Sequence, residues 1–331
     1  MIRGAEKRRT GIAQPLVLIG IIIVLCAVTA GVNPRFLRAQ NIINIFQQIS
    51  ILGIVACGIG MLLVAGQIDI SVGSQISLMG IIAALLGQTL LGGEAGVKVP
   101  AWQAAMAVPL TVAATLLLGA LLGLLNGIVV VGSKVASFVI TLGFMTVYRG
   151  AALVAGRGTG YPVPRRFQQL GRARLFDLVP VSVLFFLGVI LMTFFVLKYL
   201  RYGRFLYAIG GNAKAAYVSG INTARITVIA YVVVGLASAL ASLLLVSRVG
   251  VAQANLSDTY ALDSLAAVIV GGVALSGGKG DALAIFLGIL LIGLIINALI
   301  IMRVNPYARD VIMGLIIIIA VATGQRGSEA S

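Results

Sequence analysis

Residues 49–66 read ISILGIVACGIGMLLVAG, eighteen positions with no charge and no proline. A bilayer's hydrocarbon core takes roughly 20 residues of helix, so a run of this length fits a membrane crossing. A buried strand would be far shorter. Working outward, comparable runs occupy 15–32, 71–92, 102–132, 135–155, 178–199, 226–246, 264–275, 282–302 and 311–323. The pattern predicts an all-α integral membrane protein with about ten transmembrane helices. The run at 264–275 is short for a full crossing, and the one at 102–132 is long enough to tilt or to contain a break. The expected organisation is a tail at 1–14, one transmembrane domain at 15–323 and a second tail at 324–331.

Composition agrees with that reading. Of 331 residues, 60% are hydrophobic and 10% charged, whereas a soluble domain carries about a quarter charged residues. The net charge of +15 is then a matter of how loops sit relative to the bilayer, not of nucleic-acid binding. There is no His, which removes the commonest general base and metal ligand. Cys26 and Cys57 each lie in an apolar run; they are too few for a cysteine-held metal and read as buried thiols. Nine acidic residues spread along the chain form no catalytic constellation, so no metal site and no enzyme activity is expected in this chain. Arg3, Lys7, Arg8 and Arg9 precede the first run, and Val28-x-Ala30 could serve a signal peptidase. The nine runs that follow favour an uncleaved first span.

Many of the 41 glycines lie inside the runs. Small residues let helices approach closely where lipid offers no hydrophobic drive. Gly53, Gly58 and Gly60, and the pair Gly119 and Gly123 four apart, are candidates for such packing.

Three polar breaks interrupt the apolar pattern. Gly66-Gln67-Ile68-Asp69-Ile70-Ser71-Val72-Gly73-Ser74 places an acid between two apolar runs. Asp69 is either a functional carboxylate or a cap on the next helix. Ser276-Gly277-Gly278-Lys279-Gly280-Asp281 superficially resembles a phosphate loop. Val273 stands where the first Gly is required, and Gly280 where Ser or Thr is required. Asp281 reads instead as a helix cap, and the short run before it as a half-helix of the kind transporters use. The third break, residues 200–225, holds Gly211-Asn212-Ala213 and Ala216-Tyr217-Val218-Ser219-Gly220. Asn212 is a good N-cap and Gly220 a good C-terminal stop for a two-turn helix. Such a helix is a docking element or a plain connector.

These residues resemble the permease subunits of bacterial ABC importers of the ribose, arabinose and xylose type. Residues 66–74 are similar to that family's Gly-Gly-Ile-Asp-Leu-Ser-Val-Gly-Ser motif, with Gln67 in place of the second Gly. Residues 271–280 resemble its late Gly-rich motif, and residues 210–221 its cytoplasmic coupling segment. Leu125-Asn126-Gly127, Thr141-Leu142-Gly143 and Tyr148-Arg149-Gly150 follow in the family's order. The resemblance implies a multi-pass permease of the bacterial inner membrane with both termini in the cytoplasm. It would work with a second permease subunit, a periplasmic sugar-binding protein and a separate ATPase. ATP and Mg would sit on that ATPase, with no cofactor and no nucleic acid on this chain. The implied ATPase-coupling residues are Gly211, Asn212, Ala213, Ala216, Tyr217, Ser219 and Gly220. The competing function class is an ion-coupled secondary transporter or a channel for small polar solutes. Gln67 leaves open the geometry of its turn, since Gly tolerates positive φ and Gln does so poorly.

With this orientation, twelve basic residues fall on each side of the membrane, so the positive-inside rule does not decide the sidedness. Part of the outer share lies in 156–176, which carries Arg157, Arg165, Arg166, Arg172 and Arg174 and no acid. This segment either docks acidic residues of the binding protein or pairs with lipid phosphates. Polar residues within or beside the spans are the candidate solute pathway: Gln47, Gln48, Asp69, Asn126, Thr141 and Asn297. Asn126 and Asn297 could equally tie helices together.

Overall fold

The computed structural model describes the backbone of residues 2–91, 100–176 and 179–329, and side chains among these from 15 to 319. The basic flank at residues 3–9 lies outside the described side chains. The chain forms twelve α-helices among the described residues: α1 Ile2–Val32, α2 Ala39–Val64, α3 Val72–Leu90, α4 Ala101–Ser133, α5 Ser137–Ala155, α6 Arg165–Arg172, α7 Val181–Tyr199, α8 Arg201–Val218, α9 Thr223–Val249, α10 Tyr260–Gly271, α11 Ala282–Ile301 and α12 Pro306–Glu329. Two short antiparallel pairings join β1 Tyr161–Pro162 to β4 Val251–Ala252, and β2 Arg174–Leu175 to β3 Val179–Pro180. Eight helices, all but α6, α8, α10 and α12, are long and apolar enough to cross a membrane among the described residues. α10 and α12 accompany them, so all ten apolar runs are helical.

The boundaries differ in instructive places. α2 starts at Ala39, ten residues before the apolar run. Its first turns are polar, but Asn41 pairs with Asn297 on α11 at 3.1 Å, and Ser50 donates to the Phe46 carbonyl. Satisfied polar groups do not stop a helix. The tails at 2–14 and 324–329 continue α1 and α12 as helix. The long fourth run is one helix of 33 residues with Pro109 near its start. The 200–225 segment, expected as a loop around one short helix, is mostly helical from Arg201, with a kink at Asn212.

α2 is the axis of the molecule. Of its most apolar window 94% is buried, against 11% for α1 and 17% for α5. Leu52, Ile54, Ile59, Leu62 and Leu63 pack there against Val234, Val268, Ile285 and Ile289. α4 lies along α9 with almost no side chain between them. A Cβ on Gly119 or Gly123 would collide with the backbone of Gly235 or Tyr231. The small-residue face read from the sequence is thus a packing seam. Gly53 likewise receives Phe186, and Gly60 receives Ile285.

α9 gives the molecule its two ends. It spans 27 residues, about 40 Å of helix. At its start it follows α8, and at its end it meets α6, where Gly171 sits against Ser247 Oγ and the Leu244 carbonyl.

Candidate functional site: three polar breaks meet at the α8 end

The Gly66 break begins where α2 stops. Gly66 takes φ +72, its N–H reaches the Leu63 carbonyl, and Gln67 N–H reaches the Leu62 carbonyl. This pair of bonds is a Schellman stop, whose left-handed residue suits Gly. Gln67 is not among the positive-φ residues, so the residue in place of the motif's second Gly falls one position past the one that needs a left-handed backbone.

The late Gly-rich loop returns to the same point. Gly278 N–H donates to the Val64 carbonyl at 2.8 Å, inside the last turn of α2. Asp281 accepts from Ala284 N–H at 2.7 Å and caps α11, as expected. The first half of α8 completes the junction. Tyr207 donates its hydroxyl to the Gly280 carbonyl at 2.6 Å. A Cβ on Gly210 would overlap both the Val64 carbonyl and Gly278 N, and one on Gly277 would lie 2.7 Å from Gly66 Cα. Three segments far apart in sequence therefore touch backbone to backbone.

Beyond Gly211 the helix leaves the body. Asn212 is extended (φ −161, ψ 100) and accepts from Ala215 N–H at 2.9 Å. The last two turns end in a second Schellman stop, Gly220 N–H to Tyr217 O and Ile221 N–H to Ala216 O, with Gly220 at φ +84. Both expected caps are therefore present. Tyr217 and Val218 stand 70% and 79% exposed, a large apolar step on an otherwise small polar helix. Gly211, Ala213, Lys214 and Ser219 are exposed beside them. Ala216 does not share that face. It is 5% exposed, and its carbonyl accepts the Ile221 N–H of the stop.

Asp69 lies further along the first break and does something different. It is 2% exposed and also serves the start of α3, where Ser71 makes no side-chain cap of its own and gives its N–H to Asp69. One carboxylate oxygen accepts from Ser71 N–H at 2.8 Å and Ser71 Oγ at 2.6 Å. The other accepts from Asn126 on α4 at 3.1 Å and Gln75 on α3 at 3.4 Å. Tyr148 on α5 donates to Asn126 Oδ1 at 2.6 Å. Burial pushes the carboxyl above its usual range, and the Ser71, Asn126 and Gln75 donors work against that shift. Thr141 on α5 accepts from Ile70 N–H at 3.3 Å and steadies the same connection.

The six candidate pathway residues thus separate. Asp69, Asn126 and Thr141 form one internally satisfied knot. Asn297 is occupied by Asn41. Gln47 and Gln48 lie on α2, about 25 Å from its Gly66 end. Ser71, Gln75, Tyr148 and Tyr207 were missed. For Ser71 and Gln75 the signal was their spacing two and six residues after Asp69.

The five arginines of 156–176 also separate. Arg172 donates from Nε to the Arg248 carbonyl at 3.1 Å and from Nη2 to the Val249 carbonyl at 3.4 Å. It closes the C-terminus of α9, where a cation is favourable, and is a structural residue rather than a free docking charge. Arg166 reaches the Ala104 carbonyl at 3.3 Å. Arg157, Arg165 and Arg174 are exposed and form no side-chain bond among the described residues.

Residues 41–321 match the family described as branched-chain amino acid transport system / permease component. The ribose import permease protein RbsC of Haemophilus influenzae is 35% identical over 305 residues, 91% of this chain and 90% of that one. RbsC of Bacillus subtilis is 38% identical over 206 residues, 61% of this chain and 64% of its own length. The galactose/methyl galactoside import permease protein MglC of Escherichia coli is 34% identical over 66% of this chain and 68% of its own. No solved structure matches.

Proposed function

Since the chain belongs to this permease family, among ABC sugar import permeases, and is a multi-pass inner-membrane protein, we propose that it carries a sugar or sugar-like polyol inward at the expense of ATP hydrolysed on a separate subunit. The observation that carries the reading is the capped, exposed helix of 212–220, seated on a junction that reaches α2, α3, α10 and α11 at once. The α8 end is then cytoplasmic, and Tyr217 and Val218 are the apolar step that fits into the ATPase. ATP and Mg belong to that subunit. A second permease subunit completes the complex. At the α6 end, Arg157, Arg165 and Arg174 meet acidic residues of a periplasmic sugar-binding protein, fixing register and speeding encounter.

The test is copurification of the ATPase with the doubly substituted Tyr217→Asp, Val218→Asp permease. Loss of the ATPase with an unchanged elution profile of the permease is expected. Full retention of the ATPase overturns the assignment. Uptake driven by an ion gradient without ATP overturns the function class.

A further inference from the structure

The chain does something unusual after α9. From β4 at the α6 end it turns back into the molecule. Ser257 donates to the Gly73 carbonyl at 2.8 Å and lies 2.6 Å from Ser77 Oγ. Gly73 is near the start of α3, whereas Gly87, further along the same helix, packs against Pro164 at the α6 end. Measured along α3, Ser77 lies about 15 Å before Gly87, and the chain covers that drop between β4 and Ser257. α10 then needs only its 12 residues, about 18 Å, to reach the Gly-rich junction. The ion-pair partner of Asp258, Arg149, stands six residues, about 9 Å, before the Ala155 end of α5, so the pair lies inside a hydrocarbon core roughly 30 Å thick and not at its edge.

At that depth Asp258 Oδ2 meets Arg149 Nη2 of α5 at 3.3 Å, the only salt bridge among the described residues. The Arg149 side chain is 53% and the Asp258 side chain 36% exposed. A charge facing lipid at mid-membrane costs at least about 2.5–3.5 kcal/mol, so this pair does not look out on hydrocarbon. Directly above it is a cavity of about 380 Å³, lined by Arg149, Thr159, Gln253, Asn255 and the backbone of Gly156 and Gly158. Pockets that hold small molecules measure roughly 300–1,000 Å³. The Gln253 and Asn255 amides are exposed and make no side-chain hydrogen bond among the described residues. Each amide offers both donors and an acceptor. The one cation is already neutralised by Asp258. The lining therefore asks for a ligand rich in hydroxyls and without net charge.

We propose that this cavity is a binding station for a neutral polyhydroxylated solute, open to the outer side and floored by the Arg149–Asp258 pair. It rests on the importer reading above, which puts the α6 end outside. Few partners suit such a station, because a solute that is held too well does not move on.

The test uses the complete transporter in proteoliposomes, with Cys26→Ser to remove the half-buried thiol; Cys57 is buried. Thr159→Cys is labelled from outside with a membrane-impermeant thiosulfonate, and Phe176→Cys, a site 89% exposed at the α6 end, is the control. Thr159→Cys is expected to react. D-ribose or D-galactose should slow that reaction about twofold when present at its Kd, leaving the control unchanged, while acetate and glycine do not. Adding Gln253→Leu should abolish the protection and keep the labelling. The proposal is overturned if Thr159→Cys stays unlabelled while the control reacts, if neither sugar protects, if the charged solutes protect equally, or if protection survives Gln253→Leu with Asn255→Leu. ATP-driven uptake by the unsubstituted transporter is measured in parallel. Uptake without protection removes the station and leaves the importer; no ATP-driven uptake removes both.

Discussion

The two halves of the connection between α2 and α3 are held in opposite ways. Around Gly66, the contacts to Gly210 and Gly277 are backbone against backbone, with shape as the main constraint. Around Asp69, a few residues on, directional hydrogen bonds run to Ser71, Gln75 and Asn126. The glycine half relies on close backbone contact with two hydrogen bonds, Gly278 N–H to Val64 and Tyr207 to Gly280, whereas the other half relies on a knot of donors around one carboxylate. One half of the motif joins α2 to α8 and the loop before α11, and the other ties α3, α4 and α5 together.

Four substitutions test that contrast, each read as the thermal midpoint of the detergent-solubilised protein. Asp69→Ala should do most damage. It strips the Ser71 N–H and hydroxyl of their acceptor and takes one acceptor each from Asn126 and Gln75. Unsatisfied buried groups cost about 1–3 kcal/mol apiece, so a loss of several kcal/mol is expected; a neutral outcome breaks the idea of a fixed half. Gly210→Ala comes next, at or above the upper end of the roughly 1–3 kcal/mol of over-packing, because its Cβ has backbone on two sides. A shift within error would mean the junction is loosely packed. Tyr148→Phe removes the 2.6 Å bond to Asn126 and a longer approach to the Leu122 carbonyl at 3.5 Å, and should cost about 1 kcal/mol. The smallest effect has the opposite sign. Gly211→Ala places its Cβ where nothing lies within 4 Å, at a residue without positive φ, and should stabilise by about 0.4–1 kcal/mol. Two adjacent glycines responding with opposite signs would mark the edge of the junction to a single residue.

Much of the architecture was legible because apolar length and small-residue spacing are local signals. The ten runs, the α4 seam at Gly119 and Gly123, and the caps Asn212 and Asp281 follow from chemistry within a few residues. The start of α2 did not, because Asn41 is made tolerable by Asn297, 256 positions away. The same distance problem hid the junction: each Gly-rich break was visible, and their meeting was not. Arg172 read as a surface charge because nothing near it in sequence reveals that the end of α9 arrives beside it. Ala216 read as a contact residue because small size alone does not tell which face of a short helix looks outward.

The half-height α10 has a consequence for how the protein is made. A segment of 12 residues is too brief for the insertion machinery to release as an ordinary span. What fixes its upper end is Ser257 on Gly73 and Ser77, partners synthesised about 180 residues earlier. The bonds that seat Ser257 therefore form only once α3 is standing in the bilayer. Biogenesis of this half of the molecule is a templated step in which the early helices act as the mould, and a nascent chain halted before α10 should already hold that mould open.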